Sequence, residues 1–318
     1  MDRPNDDFAC VAKDLLPYTS QQLPISVDGR TWMMRYLDEG PSSGDDATNA
    51  SAAPVPKATL LCVHGNPTWS FTFRSIVARF SESYRVIAVD HLGCGRSDKP
   101  TQREFAYTMA AHRDNLRMLV ETLDLNRVVL IAHDWGGAIG LSAMTQCLHR
   151  VAGLVLLNTA AFPPPYMPWR IAACRWPLVG RPAVRGLNCF AVAALRMAMA
   201  RTKLSREAAR GLLAPYNSWR NRVAIDAFVR DIPLTDDHPT MATLRELEAA
   251  LPRWSKLPIE LIWGMKDWCF RPECLQRFEA VWPHAIVHRL PTTGHYVMED
   301  SPDETLDRIG DYLTNHVA

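Results

Sequence analysis

The chain has 318 residues, of which 47% are hydrophobic and 22% are charged, and its formal net charge is +1 at pH 7. This length is enough for one large α/β domain with a sizeable insertion. The near-neutral charge argues against nucleic acid or an anionic membrane as the main partner, although it does not exclude a local basic patch.

Cysteine usage and the N-terminus point to the cell interior. The eight cysteines are scattered, with no CxxC pair and no Cys/His cluster at zinc-site spacing. They indicate small buried side chains in a reducing compartment, with no disulfide framework and no metal site. The N-terminus lacks a hydrophobic signal core, and the longest apolar stretch, near residues 189–200, is interrupted by Arg196. We therefore expect a cytoplasmic protein without a membrane span.

The first predicted element is a β-hairpin. Its strands, residues 22–27 and 31–37, flank an Asp-Gly turn at residues 28–29, which is a strong hairpin signal. Residues 41–57 are polar, small and capped by prolines, and they predict a flexible surface loop.

Short β-branched segments then alternate with helical patterns such as residues 108–123, which favours parallel strands joined by crossover helices. These segments are residues 59–64, 85–90, 127–132 and 152–158. The strand pattern stops after them and returns at residues 259–264 and 286–290, before a final helix at 302–314. No internal repeat is visible.

The gap between the strands predicts a helical cap. Residues 162–248 are rich in Pro, Arg, Trp and Met and contain no strand pattern. The simplest organisation is a doubly wound α/β domain, formed by residues 1–161 and 249–318, with this cap inserted. Ligands of open parallel sheets bind beyond the carboxyl ends of the strands, so we expect the cap to cover a site there.

The composition of the cap leaves its surface role open. Residues 187–200 are apolar and either line a tunnel or pack between subunits. Residues 201–222 hold six Arg or Lys and one Glu, which indicates a solvated basic face first and a self-association surface second. The cap is therefore the candidate contact for a homo-oligomer.

The third predicted parallel strand leads into the sequence AHDWG, residues 132–136. A sharp strand-to-helix turn needs small residues two positions before and after its apex, and Ala132 and Gly136 meet that need around Asp134. The apex side chain projects above the sheet, where the N-terminus of the next helix favours an anion. The alternative is that Asp134 merely caps the helix. The preceding strand and the partners farther along the chain favour a nucleophile elbow that carries Asp in place of Ser.

An aspartate nucleophile displaces a leaving group from saturated carbon and leaves an ester on the enzyme. Hydrolysis of that ester needs a base and an oxyanion hole. The order nucleophile, acid, histidine is met by Asp134, Asp267 and His295. Another strand end holds Asn158, which cannot carry the charge that stabilises an imidazolium, so Asp267 is the predicted acid.

The remaining histidines fit the role of base less well than His295, which follows the last strand. His64, His91 and His133 lie at strand ends beside turn glycines or the elbow, and we expect them to be structural. The other candidates are predicted to lie at the surface, and they are His149, His284 and His316.

Together these segments resemble the haloalkane dehalogenases of the α/β-hydrolase fold, from about residue 58 to the C-terminus. The resemblance is carried by HGNPTWS (64–70), DHLGCGRSDKP (90–100), HDWGG (133–137), GMKDW (264–268) and GHY (294–296). An acid after the penultimate strand is similar to the family's third subgroup. Residues 170–180 and 215–234 are also similar to the β-lactone decarboxylases of long-chain olefin synthesis, which share this catalytic set.

The resemblance implies that Asn66 and Trp135 hold the departing halide, since amide and indole N–H groups are donors that do not titrate. It also implies that their backbone N–H groups receive the oxyanion during ester hydrolysis. The predicted function is therefore haloalkane dehalogenation through an alkyl-Asp134 ester. Water activated by His295 would cleave this ester to give alcohol and halide. The partner is a small apolar substrate, and no cofactor, metal or nucleic acid is implied.

Three alternatives stay open. In cis-β-lactone decarboxylation, Asp134 attacks the ring carbon that bears oxygen, and collapse expels carbon dioxide and an alkene. The active-site sequence does not separate this reaction from dehalogenation. An epoxide hydrolase needs lid tyrosines, for which Tyr166 and Tyr216 are candidates. A ligand receptor with a dead site would be expected to lack a triad member, and none is missing here.

Overall fold

An eight-stranded sheet forms the centre of this computed structural model, which describes residues 15–41 and 57–317. The strands are β1 (Ser20–Val27), β2 (Arg30–Glu39), β3 (Thr59–Val63), β4 (Arg85–Asp90), β5 (Val128–Asp134), β6 (Val151–Thr159), β7 (Ile259–Gly264) and β8 (Ile286–Leu290). Their order is β1-β2-β4-β3-β5-β6-β7-β8. The predicted loop 41–57 lies outside the described residues except at its two ends.

The predicted hairpin and parallel strands are confirmed. β1 and β2 pair antiparallel across the turn at Asp28 and Gly29, both of which have positive φ. β2 is antiparallel to β4, and every pairing from β4 through β8 is parallel. This is the expected α/β fold, with an antiparallel edge on a parallel sheet.

A separate hydrophobic core packs against each face of the sheet. In β3, Leu61 and Val63 pack into one core, while Leu60 and Cys62 pack into the other. This alternation follows from the two-residue period of a strand. All residues of β3 and β5 are buried because helices cover both faces of the sheet. Because β3, β5, β6 and β7 are parallel neighbours in that order, their carboxyl ends all lie at the same edge of the sheet.

The helices fill the connections between the strands. The α-helices are α1 (Arg74–Phe80), α2 (Met109–Thr122), α3 (Trp135–Gln146), α4 (Trp169–Ala173), α5 (Cys189–Met197), α6 (Arg206–Leu213), α7 (Val223–Asp231), α8 (Pro239–Ala250), α9 (Pro272–Val281), α10 (Val297–Asp300) and α11 (Pro302–His316). Short 3₁₀ or π segments occupy Ser70–Phe73, Leu148–Arg150, Pro182–Gly186, Ala214–Tyr216, Arg220–Arg222 and Leu251–Trp254.

The segment between β6 and β7 consists of helices joined by loops. Residues 160–258 are all described, and none of them forms a strand. The last helix of this segment, α8, contacts α2 and α3 and so packs on the sheet domain. It also continues two residues past 248. The division into core and cap at residues 162 and 248 stays a prediction.

Candidate active site

The predicted elbow is a sharp turn between β5 and α3. Asp134 ends the strand with φ 56° and ψ −130°, a conformation that non-glycine residues rarely adopt. Gly136 lies so close to β3 that a Cβ there would overlap the carbonyl oxygen of Val63. Close packing of the helix start against β3 therefore holds the turn in place. The Asp134 side chain lies at the floor of a cavity lined by both core and cap.

Two backbone N–H groups converge on the carboxylate of Asp134. The N–H of Asn66 donates to Asp134 Oδ1 at 2.6 Å, and the N–H of Trp135 donates to the same carboxylate. A fixed pair of neutral donors can stabilise negative charge on this group without solvent reorganisation. The second oxygen, Oδ2, faces His295.

The three predicted catalytic side chains come together at the strand ends. His295 Nδ1 lies 2.8 Å from Asp267 Oδ2, and His295 Nε2 lies 3.7 Å from Asp134 Oδ2. All three side chains are buried. Because 3.7 Å exceeds a hydrogen-bond length, Nε2 is not tied to Asp134 and can serve a substrate or water beside it.

Asn158 orients the predicted acid, a role that the sequence did not suggest. Its Nδ2 donates to Asp267 Oδ2 at 2.9 Å and to the Gly264 carbonyl at 3.1 Å, and its Oδ1 accepts from Gly264 N–H at 2.7 Å. An uncharged amide cannot serve as the acid. The Asn158 amide instead holds β7 and the loop that carries Asp267. A polar residue at the end of β6 was the available signal.

The pKa values of the three groups shift according to their surroundings. Burial raises the pKa of Asp134, although His295 and the two N–H donors oppose that effect. Burial alone would raise the pKa of Asp267, but the charge and hydrogen bond of His295 outweigh it and lower the pKa. Burial alone would lower the pKa of His295, but the charges of Asp267 and Asp134 and the hydrogen bond to Asp267 together raise it. The group therefore favours a carboxylate at Asp267 beside a readily protonated His295.

Asn66 and Trp135 supply side-chain donors at the same floor. Both line the cavity beside Asp134. Asn66 Nδ2 makes a long bond of 3.3 Å to the Ile225 carbonyl, and the Trp135 ring packs 5.6 Å from the ring of Phe228. An amide and an indole can each offer an N–H to an anion released from Asp134.

A cavity lies above Asp134. Its polar groups lie at the floor, and its walls are apolar, including Phe162, Ile171, Phe190, Leu244, Trp268 and Phe270. Helix α5 faces it with Phe190, Ala194 and, just past the helix end, Ala198, which recur every four residues. This is one of the two roles expected for residues 187–200.

The two tyrosines of the epoxide-hydrolase alternative do not form a pair over Asp134. Tyr166 lines the cavity, but its hydroxyl donates to the Cys269 carbonyl at 2.6 Å and accepts from Arg271 N–H at 2.9 Å. Tyr216 is not part of the cavity lining, and its buried hydroxyl donates to the Thr68 carbonyl at 2.9 Å. The geometry therefore gives the epoxide-hydrolase alternative no support.

Asp300 joins the loop of His295 to the cap, a contact that the sequence did not reveal. Its Oδ2 accepts from Gly294 N–H at 2.7 Å. Its two oxygens also accept from the backbone N–H groups of residues 200–202, at 2.7 to 3.0 Å. One carboxylate therefore sets the position of the base loop relative to the end of α5.

The other histidines lie where the sequence predicted. His133 Nε2 lies 2.9 Å from the carbonyl of His295, and burial together with the charge of His295 lowers its pKa to about 3. His64 Nε2 accepts from His91 N–H at 3.1 Å in the buried interior. The exposed ones are His149, His284 and His316.

In residues 15–41 and 57–317, no group of three or more His, Cys, Asp or Glu side chains could hold a metal ion. In the same residues no helix combines the length and apolar character needed to cross a membrane.

Comparison with known proteins places the chain among hydrolase-fold enzymes. A family model described as alpha/beta hydrolase fold matches residues 58–302. A cis-3-alkyl-4-alkyloxetan-2-one decarboxylase of Shewanella oneidensis is 36% identical, over 80% of this chain and 81% of the relative. Haloalkane dehalogenase 2 of Mycobacterium tuberculosis is 32% identical, over 87% of this chain and 90% of the relative. The solved structure of the dehalogenase DatA from Agrobacterium tumefaciens C58 superposes with a TM-score of 0.78 at 22% identity, covering 99% and 100% of the two chains.

Proposed function

The chain belongs to the alpha/beta hydrolase fold family, and we propose that this enzyme decarboxylates cis-β-lactones that carry two alkyl chains. In this proposal Asp134 is the nucleophile, His295 and Asp267 are its charged partners, and Asn66 and Trp135 bind the released carboxylate. The products are an alkene and carbon dioxide.

The shape of the cavity is the observation that carries this proposal. Hydrogen-bonding groups converge at the floor around Asp134, and apolar side chains line the remaining walls. A small polar ring with two long alkyl chains matches this division, because the ring meets the polar groups of the floor and the chains meet apolar side chains. The higher identity to a decarboxylase, 36%, than to a dehalogenase, 32%, supports the same order.

The proposed reaction has two steps. Asp134 Oδ2 bonds to the ring carbon that carries the ring oxygen, and the bond between that carbon and the oxygen breaks. The carboxylate that forms accepts hydrogen bonds from Asn66 Nδ2 and Trp135 Nε1. The bond between this carboxylate and its neighbouring carbon then breaks, and its electrons form the new double bond. Carbon dioxide leaves, and the ester bond to Asp134 breaks in the same step. Asp134 returns to its starting charge, and no water is consumed.

The stereochemistry of the product follows from these two steps. Displacement inverts the configuration of the ring carbon. Carbon dioxide and the Asp134 carboxylate then leave from opposite faces, so the two steps together give the same alkene geometry as loss of both ring bonds from one face. A cis-lactone therefore yields a cis-alkene. The raised pKa of His295 favours its imidazolium form. Beside Asp134 Oδ2, this positive charge stabilises the substrate carboxylate formed in the first step and the Asp134 carboxylate released in the second.

Haloalkane dehalogenation, the function predicted first from the sequence, is the second candidate. It is favoured by one feature of the floor, the pair of N–H donors beside Asp134 that do not titrate and suit a halide. The free Nε2 of His295, 3.7 Å from Asp134 Oδ2, is also close enough to activate water against an alkyl ester. In that reaction His295 is a base and the backbone N–H groups of Asn66 and Trp135 receive the oxyanion.

The test gives the purified protein a long-chain cis-β-lactone and, in parallel, a 1-bromoalkane. We expect equal amounts of cis-alkene and carbon dioxide from the lactone, measured by gas chromatography, and slower release of bromide. Asp134→Asn is the control for uncatalysed lactone decay. Alkene at the control level together with rapid bromide release would replace the proposal by dehalogenation, and a β-hydroxy acid as the product would replace it by lactone hydrolysis.

Heavy-oxygen water separates the two mechanisms on the enzyme itself. In one turnover of decarboxylation, Asp134 gains no label because water takes no part. In one turnover of dehalogenation, water attacks the ester carbonyl, and mass spectrometry finds the label in the peptide that contains Asp134. Labelled Asp134 after a lactone turnover would contradict the proposed steps.

A further inference from the structure

The outer surface of the cap exposes an unusual amount of apolar side chain. Nine large hydrophobic side chains of the described residues are exposed, and seven of them lie within residues 169–219. Leu178 is 94% exposed, Leu187 76% and Trp169 72%. The seven, here called the cap patch, are Trp169, Trp176, Leu178, Val179, Leu187, Val192 and Trp219. Such a concentration of exposed apolar side chains within one segment of the chain is typical of a segment that contacts an apolar partner.

One part of the cap patch, on helix α5, lies on the outside of the cavity wall. Helix α5 turns Phe190 and Ala194 towards the cavity, while Val192, Ala193 and Arg196 on its other side are exposed. Both faces of this helix are therefore largely apolar, although only one is buried. A helix that is apolar on its solvent side normally has a further apolar environment to contact.

The same segment carries a strong local excess of positive charge. Residues 162–222 contain eleven Arg or Lys and one Glu, in a chain whose net charge is only +1. Within the described residues, only two of these eleven have a carboxylate within 4.0 Å, namely Arg181 and Arg201. The positive charge of this segment is therefore largely uncompensated.

Arginines and tryptophans are interleaved in the cap patch. The Arg170 guanidinium lies 5.1 Å from the centre of the Trp169 ring, and that of Arg185 lies 4.8 Å from the Trp219 ring. Tryptophan prefers the boundary between lipid chains and headgroups. Arginine can bury its aliphatic stem there while its charge meets an anionic headgroup.

From these observations we propose that the cap patch docks on the surface of an anionic lipid bilayer. The apolar side chains enter the headgroup boundary, and the surrounding arginines pair with lipid phosphates. Docking itself is independent of the substrate. Its consequence for catalysis rests on the proposed function, since a long-chain lactone dissolved in lipid would pass through the cap directly into the cavity.

Two other occupants fit the surface less well. Nucleic acid would use the positive charge but would leave exposed leucine, valine and tryptophan side chains without apolar partners. A second copy of the chain in a two-fold contact would bring each basic patch against itself, and the like charges would repel. The same arginines therefore disfavour a homo-oligomer formed through the cap, which the composition had suggested.

The experiment measures co-flotation of the whole protein with lipid vesicles, without substrate. Wild-type protein is expected to float with phosphatidylcholine–phosphatidylglycerol vesicles, less so at high salt, and to stay behind with phosphatidylcholine alone. Trp176→Ser/Leu178→Ser should lower binding roughly tenfold. Arg196→Gln/Arg220→Gln should lower binding to the anionic vesicles by roughly tenfold or more.

Matched controls carry the same chemical changes elsewhere. Ile286→Ser removes an exposed apolar side chain of β8, and Arg253→Gln/Lys256→Gln removes two exposed charges outside the patch. Both should bind vesicles like the wild type. Neither the two substituted patch residues nor Arg196 and Arg220 lie in the cavity lining, so turnover of a short-chain substrate in buffer should stay unchanged and serves as the test of correct folding.

Several outcomes overturn the docking proposal. These are no flotation with anionic vesicles, equal flotation with both vesicle types, or patch variants that bind like their controls. Patch-dependent binding to duplex DNA without vesicle binding would make the surface a nucleic-acid site. A patch-dependent dimer without vesicle binding would make it a subunit contact. Because flotation needs no substrate, vesicle docking without alkene formation would refute only the proposed function, and the reverse result only the docking.

Discussion

The cavity floor and the cap hold their side chains in different ways. At the floor, Asp267 accepts hydrogen bonds from His295, Asn158 and the Cys269 N–H, and Asp134 accepts two from the backbone. On the cap side, the residues of α5 that reach the cavity, such as Phe190 and Ala194, offer only apolar surface. Directional bonds fix reacting atoms within fractions of an ångström, whereas apolar packing sets volume and shape. We therefore expect the floor to govern the reaction and the cap to govern which substrate reaches it.

The largest expected effect is the loss of the proposed nucleophile. Asp134→Asn should abolish alkene formation and bromide release alike, by roughly four orders of magnitude. An amide is too weak a nucleophile to open the ring or displace halide. Product formation is measured with each substrate, and mass spectrometry verifies that the introduced amide has not been hydrolysed back to the acid. If either activity stayed above about a hundredth of the wild-type rate, Asp134 would lose its assigned role.

Replacing the proposed base should separate the two chemistries. In His295→Phe, a bromoalkane should still alkylate Asp134, but the ester should persist because no group activates water. Decarboxylation needs no water, so alkene formation should fall by only about ten- to a hundredfold, the loss of one charge partner. Mass spectrometry of the Asp134 peptide measures the ester. A peptide without added alkyl mass would count strongly against the covalent mechanism.

The pH dependence should also distinguish dehalogenation from decarboxylation. A protonated His295 cannot accept a proton from water, and its pKa is raised above the ordinary value of 6.5, so bromide release should decline as the pH falls through that raised pKa. Alkene formation tolerates a protonated His295, so we expect its acid limb to follow only the protonation of Asp134, whose pKa is raised from 3.8, and to lie at lower pH. The acid limbs of the two rate profiles are compared on one preparation. Coincident limbs would show that both reactions need a neutral His295.

Asp300 connects the two regions, so its substitution should affect both. Asp300→Asn weakens the bonds to Gly294 and to residues 200–202, which should lower kcat about tenfold and raise KM for long-chain substrates. Asp303→Asn, an exposed acid in the same stretch, is the matched control. A purely structural role would lower the melting temperature and leave the kinetic constants of the folded enzyme unchanged.

The smallest effect is expected on the cap wall. Ala194→Leu narrows the cavity from α5 and should raise KM for long-chain substrates several-fold, with little change for short ones. Ala193→Leu adds the same volume on the exposed side of the same helix and should change neither. Equal effects of the two variants would place the selection of chain length outside the cap.

The features that could be predicted from the sequence are local in the chain. Strand segments, the Asp-Gly hairpin and the elbow at Asp134 each depend on residues within a few positions of one another. Backbone sterics impose strict demands there, such as the absence of a side chain at Gly136. The order of Asp134, Asp267 and His295 could likewise be recognised, because each lies at or soon after the end of a strand and parallel strands end at one edge of the sheet.

Only the tertiary structure decided the contacts between distant parts of the chain. Asn158 and Asp267 are 109 positions apart, Asp300 and the N–H of Arg201 are 99 apart, and Tyr216 and Thr68 are 148 apart. A polar side chain satisfies whichever partner the fold brings near, and no local pattern names that partner. The same holds for the cap patch, since composition cannot tell which apolar residues of an amphipathic or doubly apolar helix remain in solvent once the chain has packed.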